Sequence, residues 1–135
     1  MTSTMTVSVR TPGETRRIDD VAHARIEVTD GARGIQPGHE PARAQLEPGV
    51  LELRLSRGDC RFIATEGGLV SIGRAEIEVL TDWASSADDL ETLARQVAAR
   101  EQARAQARQA ARALVRRHEF ATRRVLALLR REVGQ

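Results

Sequence analysis

Lysine and tyrosine are absent from this chain of 135 residues, and tryptophan and cysteine each occur once. Each scarcity excludes something. With aromatics at 2%, a core has to be built from Val, Ile, Leu and Ala. A single cysteine, Cys60, rules out an intrachain disulfide framework and offers one thiolate ligand, which fits a reducing compartment. The start, MTSTMTVSVR, has neither a basic opening nor an apolar stretch of signal-peptide length, so nothing marks it for export. The longest apolar run near the other end is Val125–Leu129, far short of the roughly 20 residues that span a membrane.

What is present is distributed unevenly. Residues 1–83 carry ten Arg against thirteen acids, a net of −3, whereas residues 84–135 carry eleven Arg against six, a net of +5. Every cation is therefore a guanidinium, suited to bidentate pairing with carboxylates or phosphates. Punctuation divides the chain at the same place: all four Pro and nine of ten Gly precede Ala84, and the tenth, Gly134, is next to the end. Two architectures follow, an N-terminal domain over 1–83 and a helical segment over 84–135.

The first half alternates with period two, the mark of strands with one buried face. Met5, Val7 and Val9 alternate with polar residues, as do Ala22, Ala24, Ile26 and Val28, then Leu51, Leu53 and Leu55, then Ile77 and Val79. Short strands joined by Gly/Pro turns indicate an antiparallel β-sandwich or small barrel. Arg57–Asp59 (RGD) has the chemistry of a hairpin turn, and GARGIQPGHEP, interrupted by proline, reads as an irregular loop without the helix N-terminus that cradles phosphate.

In the second half, Ser85 or Ser86 can cap a helix with Asp88 or Asp89 at the third helical position. Leu90, Leu93 and Val97 recur at helical spacing, as do Ala111, Leu114, His118, Ala121, Val125 and Leu128. Between them, from Ala98 to Ala110, no large apolar side chain occurs. That gap fits either a turn between two antiparallel helices or one uninterrupted helix, because Ala, Arg and Gln all favour helix. The fold class expected is α+β, a sandwich followed by a helical hairpin or extended helix pair.

Catalytic constellations are missing. HEFAT at His118 lacks the second histidine of a zinc-binding helix, since Thr122 stands there. His39 has no nucleophile or second ligand nearby, and no carboxylate pair stands out, so the chain reads as non-enzymatic, with no metal and no cofactor. The outstanding feature is the stripe Arg100, Arg104, Arg108, Arg112 and Arg116. At four-residue spacing each step advances about 40° around a helix, which makes a broad cationic band. It suits an acidic protein surface or nucleic acid. The lack of aromatic stacking residues on the stripe and the acidic first domain weigh against nucleic acid, yet composition leaves the two nearly level.

Four ordered motifs resemble the epsilon subunit of F-type ATP synthases. Gly31, Gly34, Ile35, Pro37, Gly38, His39 and Pro41 match that family's G-E-x-G-I-x-P-G-H-x-P loop; LEPGVL (46–51), EGGLV (66–70) and VLTDWA (79–84) match three later segments at the right separations. The resemblance implies a stalk subunit without chemistry of its own, peripheral on the cytoplasmic face of the bacterial inner membrane. In it, the sandwich packs on gamma, the loop with Gly34, Ile35, Pro37, Gly38 and His39 reaches the c-ring, and the five stripe arginines face acidic surfaces of the catalytic beta subunits to restrain ATP hydrolysis. The membrane is reached only through the complex, and nucleic acid is not a partner. Ala32 and Arg33 depart from the loop pattern, and Arg95 stands one position away from the arginine of the family's ATP-binding I/L-D-x-x-R-A, so ATP binding is not expected. A small basic-tailed nucleic-acid-binding protein is the alternative.

Overall fold

The computed structural model describes residues 3–133, in which nine strands, β1 (Met5–Arg10), β2 (Thr15–Val28), β3 (Gly31–Ile35), β4 (Ala42–Leu46), β5 (Gly49–Leu55), β6 (Cys60–Thr65), β7 (Gly68–Ile72), β8 (Glu76–Thr81) and β9 (Ala84–Ala87), precede one helix, α1 (Leu90–Val133). The chain divides into two compact units, Met1–Val97 and Ala98–Gln135. The C-terminal Gly134 lies outside the described residues.

Strand β2 organises the first unit. It is 14 residues long and pairs antiparallel with β1 along its first half and with β3 and β5 along its second, touching β4 at Val28↔Leu46. The strand order β1-β8-β7-β4-β2-β5-β6-β9 makes a sandwich whose layers share β2. A bend is needed for that double service, and it sits at Asp20, whose φ of 58° is a left-handed conformation that Asp tolerates better than most residues. The Asp20 carbonyl accepts the Ser56 amide at 2.8 Å. The bulge changes which residues face inward. Alternation predicts Ala22 inside, but the register shifts between Val21 and His23, so Val21 is fully buried and Ala22 only half-buried.

In β5 and β8 the alternation holds, whereas in β1 Ser8 is buried along with Val7 and Val9. Leu51, Leu53 and Leu55, and Ile77 and Val79, all face one aliphatic core with Val7, Val9 and Ile63. No aromatic residue belongs to it. A smaller cluster, Ala64, Ala87 and Leu93 with Phe62, Trp83 and Val97 against it, seats the first two turns of α1 on β6 and β9.

Two sequence expectations are corrected at the strand-to-helix junction and one in the Gly-rich stretch. Ser85 and Ser86 do not cap the helix; they lie in β9, paired with Ala64 and Ile63, because the sheet continues through Ala87. The cap is Asp89, whose Oδ1 accepts the Thr92 amide at 2.7 Å while Oδ2 accepts its hydroxyl at 2.9 Å. The GARGI half of the Gly-rich stretch is β3 rather than loop, held by five register pairs to β2. Of the two arrangements left open over 98–110, the structure has the uninterrupted one, a single helix of 44 residues, since nothing between Leu90 and Val133 supplies the Gly, Pro or polar turn chemistry that ends one.

The EGG turn between β6 and β7 has a steric reason. Gly67 and Gly68 have φ of +84° and +146°, and a Cβ on Gly68 would lie 2.0 Å from the Leu80 carbonyl oxygen. At Gly58, in the β5–β6 turn, φ is +100° but nothing lies within 4 Å. Gly68→Ala is therefore expected to cost on the order of 3 kcal/mol or more, against about 1–2 kcal/mol for Gly58→Ala, measured by denaturant unfolding of both variants. Equal costs would show that the close approach to β8 is relaxed rather than rigid.

The hydrogen bonds from the Thr92 amide and then the Thr92 hydroxyl hold the Asp89 carboxyl below its ordinary pKa. A depressed folded-state pKa contributes stability that is complete above the unfolded carboxylate range and is lost as pH falls through the folded value. Helical signal at the start of α1 should thus weaken on acidification below the ordinary carboxylate range. Asp89→Ala should start weaker and lose this part of the pH dependence, as amide exchange at residues 90–93 would report.

Candidate partner-docking surfaces

Three surfaces of the described residues carry the residues singled out from sequence or an apolar exposure that calls for cover. The first is one end of the sandwich. Ile35 closes β3 against Ala24 and is fully buried, which pins the following turn. Gly38 takes φ +88°, and its amide donates to the Arg74 carbonyl at 2.6 Å, tying the β3–β4 turn to the β7–β8 turn. His39 donates its amide to the Gln36 carbonyl at 3.2 Å, and its Nδ1 lies 2.6 Å from the Glu40 carbonyl oxygen. Gly34 and Gly38 are exposed, Pro37 and His39 half-buried. The structure brings these five residues to one braced end, with Ile35 buried beneath it. Gly34 has a packing role too, since a Cβ there would stand 3.0 Å from His23 Nε2.

The second surface was missed from sequence. Leu69 and Leu80 face each other across β7 and β8 and are 61% and 45% exposed. They line a shallow groove with Arg43, Ala44, Ser71 and Glu78. A signal existed: in β7 the buried residues are Val70 and Ile72, and in β8 Ile77, Val79 and Thr81, so Leu69 and Leu80 are leucines in the outward phase. Paired across the strands, the two leucines make one apolar feature beside the groove.

The third is the arginine stripe. Because no turn interrupts α1, Arg100 to Arg116 run along one helix for about 24 Å. Arg100 is half-buried, Arg104 lies 3.8 Å from Glu101, and Arg108, Arg112 and Arg116 are exposed. At the start of the helix, Leu93 is buried in the smaller cluster, and Arg95 lies 3.3 Å from the Thr92 hydroxyl and 4.0 Å from Glu91. Thr122, where a zinc helix would carry its second histidine, donates its hydroxyl to the His118 carbonyl at 2.9 Å. Among the described residues no three His, Cys, Asp or Glu side chains cluster for a metal, and no helix is long and apolar enough to cross a membrane.

Comparison with known proteins places this geometry. The family profile "ATP synthase, Delta/Epsilon chain, beta-sandwich domain" matches residues 4–87, the stretch that ends with β9. A curated ATP synthase epsilon chain of Corynebacterium urealyticum is 40% identical over 73 residues, covering 51% of this chain and 59% of that one. The epsilon chain of Prochloron didemni is 30% identical over 123 residues, covering 91% of this chain and 84% of its own. Against the corynebacterial relatives the chain spans 51–59% of their length. Among solved structures, a chain of the Euglena gracilis mitochondrial ATP synthase OSCP/F1/c-ring assembly superposes with a TM-score of 0.58 at 26% identity, covering 76% of this chain and 65% of that one.

Proposed function

Since the chain belongs to the ATP synthase epsilon-subunit family, we propose that it is a non-catalytic subunit of the central stalk of a bacterial F-type ATP synthase, peripheral on the cytoplasmic face of the membrane. The observation that carries this reading is the unbroken match of the family profile to the nine-stranded unit, loop and GG turn included. In this role the sandwich packs on gamma, and the exposed Leu69–Leu80 pair supplies an apolar face for that contact. The braced turn carrying Pro37, Gly38 and His39 is the end that meets the c-ring. Its tie to the β7–β8 turn suits an element that must transmit torque without bending.

The helical unit has the regulatory share. Arg100, Arg104, Arg108, Arg112 and Arg116 form a docking face for acidic surfaces of the beta subunits and restrain ATP hydrolysis by holding those subunits. Guanidiniums favour carboxylate partners through paired hydrogen bonds. The subunit works without metal, cofactor or bound ATP, in keeping with the engagement of Arg95 by its own helix.

Two experiments test the parts separately. Immobilised chain should capture purified gamma, and Leu80→Glu should cut that capture on the order of tenfold or more by placing a charge in an apolar contact while leaving the unfolding midpoint unchanged. Salt-sensitive retention of DNA with no capture of gamma would favour the basic-tailed nucleic-acid-binding alternative instead. In the assembled complex, changing the five stripe arginines to Gln should raise ATP hydrolysis several-fold with ATP synthesis retained. Unchanged hydrolysis would remove the regulatory role and leave the stalk role standing.

A further inference from the structure

Beyond the stripe, α1 sorts its residues into two faces from Ala111 to Arg131. At 100° per residue, Leu114, Val115, Val125, Leu126, Leu128 and Leu129 fall within an arc of about 160°, and every arginine of the segment falls within an opposing arc of about 140°. Arg112 and Arg130 stand at one edge of the cationic arc and Arg117 at the other, with Phe120 the one large apolar residue on that side. The six aliphatic side chains are 51–69% exposed. A soluble helix that docks on a core carries an apolar stripe of about 100° or more; this one has His118 and Thr122 within it and arginine at both borders, with Glu119 beside Arg112 and Arg130 at one of them.

Those borders restrict the occupant. A second copy of this chain would bring seven arginines of each helix together with only Glu119 of each to answer them. A neutral apolar groove would cover the arc but leave the guanidiniums to water and gain nothing from them. What fits is apolar in the middle and anionic along both flanks, the layering of an anionic bilayer interface, where acyl chains lie beneath a plane of phosphates. We propose that residues 111–131 form an interfacial helix that lies on an anionic lipid surface, aliphatic arc toward the acyl chains and guanidiniums on phosphate oxygens. The helix lies on the membrane and does not cross it, consistent with its lack of a spanning apolar run. This goes beyond the stalk reading, in which the membrane is reached only through the ring. Because Arg112 and Arg116 belong to both the stripe and the cationic arc, lipid and an acidic protein surface would compete for this part of the helix.

Sedimentation of the purified full chain with vesicles tests it. Vesicles with phosphatidylglycerol as roughly one third of the lipid should retain the chain on the order of tenfold better than pure phosphatidylcholine, and added salt should weaken the retention. The double change Leu128→Gln and Leu129→Gln should reduce retention on the order of tenfold or more. Arg117→Gln with Arg124→Gln should also reduce it, while Arg117→Lys with Arg124→Lys should preserve most of it; unchanged far-ultraviolet dichroism and Trp83 emission would show that each variant remains folded. No retention on anionic vesicles overturns the proposal. So does retention indifferent to the leucine changes, which is unspecific charge attraction, or capture by immobilised polyglutamate with none by vesicles, which assigns the face to an acidic protein.

Discussion

The bend in β2 is the constraint on which the first unit depends. One strand of 14 residues has to pair with β1 at its start and with β3 and β5 further on, and a straight strand cannot lie in both layers. The left-handed Asp20 and the register shift after Val21 supply the turn. The shift also puts Val21, Ala24, Ile26 and Val28 into one core that both layers share. From there the consequences run outward. β3 can end on buried Ile35, so the next turn is braced, and β4 can begin where it pairs with β7, which presents Leu69 beside Leu80. The braced end with the β3–β4 turn and the apolar Leu69–Leu80 face are both set by where that bend falls.

Much of this was legible in the residues. Period-two alternation found the strands and most of the core, because an aliphatic inside a two-layer sheet has few other places to be. Where it failed, a local backbone effect prevailed over pattern: one bulge exchanged Ala22 for Val21, and continued sheet pairing turned two candidate capping serines into strand residues, leaving Asp89 as the cap. Glycine told more than its conformational freedom. The doublet at 67–68 reports how closely the β6–β7 turn approaches the backbones of β4 and β8, a contact between segments more than ten residues apart that no local propensity contains.

The candidate surfaces were legible to different degrees for physical reasons. Arginines at four-residue spacing declare a band as soon as the segment is helical, and the absence of breakers makes it so. Yet composition cannot choose between a hairpin and a single helix over 98–110, since Ala, Arg and Gln favour helix equally well in either arrangement. The Leu69–Leu80 pair needed register: each leucine is unremarkable in its own strand, and only their cross-strand pairing makes a patch.

The two units therefore depend on different kinds of energy. The sandwich is held by fully buried aliphatics, each contributing about 1.5–3 kcal/mol, and its conformation does not await a partner. Between Glu101 and Arg131 every side chain is exposed, so helicity there rests on local propensity and on pairs such as Arg104 with Glu101, worth only a few tenths of a kcal/mol each. A segment so weakly committed takes its position from whatever covers its apolar arc and answers its charge. Small differences in partner affinity then suffice to redistribute it. In the proposed stalk role, that division, a sandwich held by its own buried core joined to a helix held by local propensity, is the physical basis for coupling and regulation to reside in one chain.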